Sequence, residues 1–518
     1  MNASGWWLGL LLPTILLAAP AGELRRGNGP EPATLNPHVA QDVAAHNVLR
    51  DVFEGLLSES ATGTLEPGQA ESYSISEDGL AVRFLLRDGL KFSDGSPLTA
   101  ADFAESLKLA LAPASAAPYA QMLSMIKTVS APDQRTLLLT LNRRAPELFA
   151  ALTLPIAYPL HKSLRGAPNS AFSRPERLIG NGAYRLQEWR SQSFISLRRN
   201  PYFRAQERAP IERAPIEQVR FVLTDDPAAE YKRFRAGDLD ITDTVPSGPI
   251  DRLRERHGAA LRVSPYLGTV YFGYNLSRPP FKDNPALRRA LSLALDREIL
   301  TRYISGAGEQ ATHALVPALL LTPPKESLRR AALSESARVQ EARAALAASG
   351  YQSATDPPIE IRFNANPSQR RLALAIQAMW LQTLGVRSSV RQEEWKVFLV
   401  NRKQRRVTEV FRMSWVADLA TPENFLNLFE SRSALNYTGL QDPIFDAAMA
   451  TARSSDDPGA RQNAFAQAHA RLIDADVILP LYHYVSRHLV DPRVCGFVAH
   501  PLDRRLSRHL WLCQNKAP

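Results

Sequence analysis

From Glu23 onward, segments with apolar residues at every second position alternate with segments in which they recur at helical spacing, and this alternation narrows the chain to an α/β architecture. In Ile359-Glu360-Ile361-Arg362-Phe363 the period is two, so one face of a strand is buried. After it, Leu372, Ile376, Met379 and Trp380 fall on one stripe of a helix that Gly385 stops. Asp226-Pro227 reads as an N-cap followed by proline at the first helical position. The helix then runs past Tyr231 and Phe234 to Gly237, and a strand starts at Leu239 and Ile241. The best-capped helix begins at Asn284-Pro285. Burial of Leu287, Leu291, Ala294 and Leu295 on one face is expected to leave Arg288, Arg289 and Arg297 in solvent.

A chain of 518 residues is too long for one ordinary core, so two or three packed units are expected. The first 21 residues carry no charged side chain, hold an apolar run from Trp6 to Leu17 and end in Ala19-Pro20-Ala21, the pattern of a secretory signal peptide cleaved after Ala21. No cysteine lies near Ala21 to take a lipid anchor. The two cysteines, Cys495 and Cys513, both fall in the exported part, where one disulfide is expected and two buried thiols are the other reading. The net charge of +10 is spread along the chain without interleaved aromatic residues, as in Arg252, Arg254 and Arg256. That distribution reads as a solvated surface and not as a nucleic-acid interface.

No H-E-x-x-H, C-x-x-C, G-x-S-x-G or Walker loop occurs. Gly306-Ala307-Gly308 follows a helix, whereas dinucleotide binding places its glycines between a strand and a helix N-terminus. His483 and His488 lie in an apolar stretch among tyrosines, company that suits a core or groove lining better than a metal site. A secreted hydrolase would need a nucleophile and base or a metal set, and none can be assembled. No enzyme activity, cofactor or metal is expected.

Eight segments, in order, carry a resemblance. They are Phe53 to Leu56 (FEGL), Leu86 to Phe103 (LRDGLKFSDGSPLTAADF), Asn181 to Leu186 (NGAYRL), Arg235 to Thr242 (RAGDLDIT), Pro279 to Glu298, Met379 to Val386 (MWLQTLGV), Glu393 to Leu399 (EEWKVFL) and Pro480 to Val490. Together they resemble the oligopeptide-binding proteins of peptide ABC importers, the family 5 extracellular solute-binding proteins. Within the second segment, Asp94-Gly95-Ser96-Pro97 is a turn sequence, and Thr99 and Asp102 suit a helix start at Ala100, so it is read as scaffold.

The resemblance implies a two-lobed periplasmic binding protein fold, α/β, with an additional inserted domain. The first lobe is expected over 22–52, 170–265 and 485–518, the inserted domain over 53–169 and the second lobe over 266–484. It further implies a periplasmic monomer that encloses an oligopeptide between its lobes and delivers it to the permease subunits of an ABC importer in the inner membrane. Murein peptides, dipeptides, opines and nickel or haem complexes are same-fold alternatives. A DNA-binding module before Glu23 has no room.

A peptide bound without regard to its sequence offers a backbone, an amino end and a carboxyl end. By resemblance Asp418 pairs with the ligand α-amino group, and Ser414 and Val416 pair with its backbone. Trp395 and Trp415 wall side-chain pockets, Tyr119 and Tyr484 are further candidates, and Val43 meets the other side of the ligand backbone. A helix or turn cap before Pro422 is the structural alternative for Asp418. Two departures stand out. Gln369, followed by Arg370 and Arg371, stands where a basic or histidine residue often meets the ligand carboxylate, which leaves Arg412 for that role, and Gly268 and Val416 occupy positions that some members bridge with cysteines.

Overall fold

The computed structural model describes residues 22–115, 117–204, 216–246, 248–405 and 409–513. The leader expected over residues 1–21 lies outside them. The architecture is α/β, as the alternation requires.

Three larger sheets organise the chain. A four-stranded sheet runs in the order Glu23–Gly27, Gln218–Val222, Phe194–Arg199, Tyr184–Arg190, its first pair parallel and the others antiparallel. The helix Val43–Val52 packs on it through Val48 and Leu49, in one core with Leu24, Phe221 and, from the C-terminal segment, Val490 and Leu510. Leu239 begins no strand: Ile241 makes isolated bridges to Arg26 on one side and Val490 on the other. A second, antiparallel sheet of four strands, in the order Ala70–Ile75, Ala81–Leu86, Thr136–Leu141, Ile126–Ser130, is covered by the helix Ala100–Leu111. That helix starts as its sequence requires, with Asp102 accepting from the Thr99 amide at 2.9 Å.

The third sheet has six strands, in the order Gln310–Ala311, Ile478–Leu489, Leu261–Tyr274, Val410–Val416, Ile359–Asn364, Ser388–Glu393. Its central strand, Leu261–Tyr274, is buried on both faces from Leu267 onward. On one side Val270, Phe272 and Tyr274 pack with Leu291 and Trp380 from the helices Pro285–Leu293 and Pro367–Leu384. On the other side Leu267 and Tyr271 meet Phe445 and Phe465 from the helices Pro443–Ser454 and Pro458–Asp474.

Two of the three arginines expected in solvent are buried. Arg288 donates to the Asp476, Phe281 and Ala475 carbonyls at 2.9, 2.6 and 2.7 Å, and Arg297 donates to the Pro480 and Ser292 carbonyls at 2.7 and 3.0 Å. A guanidinium spreads its charge over five donors, so it can replace water with carbonyls that the turns leave free. Arg289 stays partly exposed beside Asp476.

Leu261–Pro265 pairs with Val485–Leu489, whereas Thr269–Gly273 pairs with Ile478–His483, and the register shifts between Pro265 and Thr269. Before the shift, Leu261 and Leu489 pack with Val245 and Ile250; beyond it, the two strands pack in the cores on either face of the six-stranded sheet. Cys495 and Cys513 form a disulfide, with their Cα atoms 5.8 Å apart.

Candidate functional site

The strand Val410–Val416 pairs antiparallel with Gly268–Tyr274 along its whole length on one side. On the other side it meets Ile359–Asn364 only at Val410 and Phe411. From Arg412 to Val416 the second edge therefore has no ladder partner among the described residues. The Ala417 amide donates to the Leu267 carbonyl at 2.8 Å, which makes Ala417 face the central strand. Residues alternate in an antiparallel ladder, so Trp415 and Met413 face it too, while the backbone N–H and C=O groups of Val416, Ser414 and Arg412 point to the open edge. Val416 is 39% exposed and Ser414 is half-buried.

Asp418 stands just past the end of this edge. Its amide donates to Asn424 Oδ1 at 3.0 Å, and its carbonyl accepts from Arg504 at 2.6 Å. The carboxylate itself accepts no hydrogen bond and forms no ion pair among the described residues. Burial raises its pKa above the ordinary value, and the Arg504 guanidinium opposes that rise. It caps nothing: the short helix Glu423–Leu426 begins after Pro422 without a side-chain cap. Nearby, the same Asn424 oxygen accepts from the Trp415 indole at 3.1 Å.

The groups that face Asp418 come from elsewhere in the chain. Burial raises the Tyr119 phenol pKa, with the charge of Asp418 the next contributor, and the Tyr119 ring lies 5.8 Å from that of His46. Burial, then Arg50, push the His46 imidazole down to about 3, so it is neutral at any physiological pH. Arg504 is held by Glu59 at 2.6 Å.

Arg412 lies at the far end of the open edge. Its guanidinium reaches Tyr484 Oη at 3.4 Å, and its buried Nε has no partner. No carboxylate pairs with it among the described residues. Tyr484 also explains the missing cysteines. Gly268 and Val416 are direct cross-strand partners, and a Cβ on Gly268 would approach the Tyr484 ring to 2.7 Å, so the ring takes the space of a bridge.

Trp395 is 47% exposed at the first turn of the helix Trp395–Gln404, its ring 6.3 Å from that of Phe398. Val43 is the first residue of Val43–Val52, where an amide lacks a helical partner, and it is 66% exposed. Among the described residues no hydrogen bond, ion pair or ring contact ties either to Asp418. The histidines of the Pro480 segment are structural: His483 Nδ1 lies 2.9 Å from Thr269 Oγ1, and His488 sits between the Thr242 carbonyl and Asp503. Sequence reasoning missed Asn424, Arg504 and His46. Arg504 acts on a partner 86 positions away and His46 by its placement alone, while Asn424 lies six and nine residues from its partners but in a spacing that belongs to no regular element, so no local pattern announces them.

A sheet with an unclaimed edge, ending at an unpaired carboxylate near which lie side chains from distant parts of the chain, is a place for a ligand to be held, and two-lobed α/β proteins built this way are solute receptors. This chain belongs to the bacterial extracellular solute-binding proteins, family 5, whose profile matches residues 64–437. It is 30% identical to the periplasmic oligopeptide-binding protein OppA of Escherichia coli K12, an alignment that covers 99% of this chain and 98% of that protein. Among solved structures it superposes on the unliganded open form of the murein tripeptide-binding protein MppA with a TM-score of 0.84 at 28% identity, covering 96% of this chain and 98% of that one. For Haemophilus influenzae OppA in complex with the peptide RPPGFSPFR the TM-score is 0.75 at 29% identity, with 96% and 100% covered.

Proposed function

We propose that this chain is an exported, monomeric peptide receptor that encloses a peptide between its lobes and passes it to the permease subunits of an ABC importer. The observation that carries the reading is the open strand edge at Ser414 and Val416 leading to the unpaired Asp418 carboxylate. An extended peptide adds to such an edge through its own backbone, which leaves its side chains free to vary. Its ammonium then meets Asp418, in a charge-assisted bond stronger than a neutral one. Asp418 lies six positions along the chain from Arg412, roughly 20 Å at a strand's rise per residue, and Arg412 is the cation available to a carboxyl end. Trp415, Trp395, Tyr119 and Tyr484 supply broad walls for varied side chains.

In this reading the lobes divide at 265/266 and 484/485, beside the register shift between the two long strands, with 53–169 inserted in the first lobe. Cleavage after Ala21 and release to the periplasm complete the picture.

The test is calorimetry with one tripeptide in free and N-acetylated forms, on wild type and Asp418→Asn. Removing one partner of a desolvated charge pair costs about 2–5 kcal/mol, roughly thirty-fold to several thousand-fold in affinity. Wild type should bind the acetylated form that much more weakly, and the variant should lose the free form without a fall in the melting temperature of the empty protein. Equal binding of both forms by wild type would overturn the assignment.

A further inference from the structure

A second cavity, of about 350 Å³, opens behind the Asp418 loop. Its walls come from three places: Leu65 and the Pro146–Ala150 turn, Leu419 to Glu423, and Phe465 on the helix Pro458–Asp474, with Leu502 and Arg504 closing one side. Leu419 packs into the core of the antiparallel four-stranded sheet and Phe465 into one core of the six-stranded sheet, so the cavity lies where two separately built cores meet. Trp415, Tyr119, Arg412 and Asp418 are absent from its lining.

Three arginines and three glutamates line it, but they are paired unevenly. Glu59 is held by Arg504 at 2.6 Å, Glu147 by Arg143 at 2.5 Å, and Glu423 by Arg453, which also reaches Glu430 at 2.5 Å. Every lining carboxylate thus has its cation. Arg461 has no counterpart: it lines the same cavity, its Nε is shut off from solvent without a partner, and no carboxylate pairs with it among the described residues. The size is that of a small-molecule site, and its lining sets an apolar side of Leu65, Ala150, Leu419, Phe465 and Leu502 beside charged groups.

We infer that this cavity is a second ligand site, distinct from the peptide edge, for a small amphiphilic monoanion. A carboxylate would sit on the Arg461 guanidinium, where a bidentate pair satisfies the orphaned Nε together with a terminal nitrogen, and an aliphatic body would lie against Leu65, Ala150, Leu419 and Phe465. A zwitterionic peptide fits poorly, because no lining carboxylate is free for its ammonium.

Octanoate is the probe. Titrated calorimetrically into the full mature chain, it should bind at one site with a dissociation constant of about 1 mM or tighter, while octanol and octylamine should bind at least about tenfold more weakly. Arg461→Gln should weaken octanoate by about tenfold or more and leave tripeptide affinity unchanged, which also shows that the variant is folded. Ala150→Trp, which fills the space without altering charge, should abolish octanoate binding by an independent route. Asp418→Asn, which removes the peptide's anchor, should leave octanoate binding intact, so failure of the peptide reading and failure of this one are separable. No saturable binding to wild type, equal affinity in wild type and Arg461→Gln, or loss of octanoate in Asp418→Asn would overturn the proposal.

Discussion

Asn424 holds Asp418 in place without touching its carboxylate: one amide oxygen takes the Asp418 N–H at 3.0 Å and the Trp415 indole at 3.1 Å. Asn424 is 5% exposed, so neither donor gains water freely if that oxygen is lost. Leaving a buried donor unsatisfied costs about 1–3 kcal/mol. Asn424→Ala should therefore weaken free-amine peptides about tenfold to a hundredfold, through the position of Asp418, while N-acetylated peptides, which do not use Asp418, should change much less. Isothermal titration of both forms against the variant checks this.

Peptide affinity should depend on pH through Asp418. Burial raises its carboxyl pKa in the empty protein above the usual value, and a bound ammonium favours the ionised form. Affinity should therefore fall as the solution is acidified through that raised value, by up to about tenfold per pH unit, and the fall should begin at a higher pH than for an ordinary aspartate. In Asp418→Asn the slope should vanish. For the empty protein the sign is opposite: a raised carboxyl value means that stability is lost as pH rises through it, so the asparagine variant should be at least as stable as wild type at neutral pH.

The pair His488 and Asp503 should set a second pH dependence, of stability and not of binding. Burial pulls the imidazole pKa down, but the charge and hydrogen bond of Asp503, at 3.0 Å, outweigh it and the net direction is upward. Asp503 is held low by His488 against the upward push of its own burial. The contribution of a raised histidine is complete below its unfolded value and is lost as pH rises through the folded one; that of the lowered aspartate is lost as pH falls through its folded value. Thermal melts should peak in mildly acidic solution and decline toward alkaline pH, and His488→Gln should flatten the alkaline decline. Asp503→Ala, which strands a buried imidazolium, should cost about 3–5 kcal/mol below that decline.

The disulfide closes a separation of 18 residues and ties the strand Val494–Cys495 to Trp511–Leu512. Cys495→Ser with Cys513→Ser should lower stability by about 3 kcal/mol in the chain-entropy model, read as a shift in the urea midpoint. The denatured, unreduced wild type should show no thiol to a labelling reagent.

Helix starts were the most legible part of the fold, because a cap is written in adjacent residues. Asp226 accepts from the Ala228 amide at 2.9 Å and Asn284 from that of Leu287 at 3.1 Å, both as their sequences predict. Burial of Arg288 and Arg297 was not legible, since it depends on carbonyls near 476 and 480, more than 180 residues away. The candidate site divides in the same way. Arg412, Ser414, Val416 and Asp418 lie on one strand and its exit, so a single motif points to all four, whereas Arg504 reaches the Asp418 carbonyl from 86 positions away. Amphipathic patterns specify which face of an element is buried, and they carry no information about which distant polar group will meet it.

The unclaimed edge from Arg412 to Val416 has a consequence for how the molecule behaves in a crowded compartment. Any bare strand edge is a template on which a second chain can pair, and long flat apolar edges seed aggregates. This one spans only five residues and carries a guanidinium at one end and a carboxylate just past the other. A copy of the same edge laid against it in antiparallel register would bring like charges to neither end, so charge alone does not forbid self-pairing. On the proposed reading, in which the edge faces the space between the lobes, size exclusion would guard it: short extended chains would reach it, and other folded proteins would not.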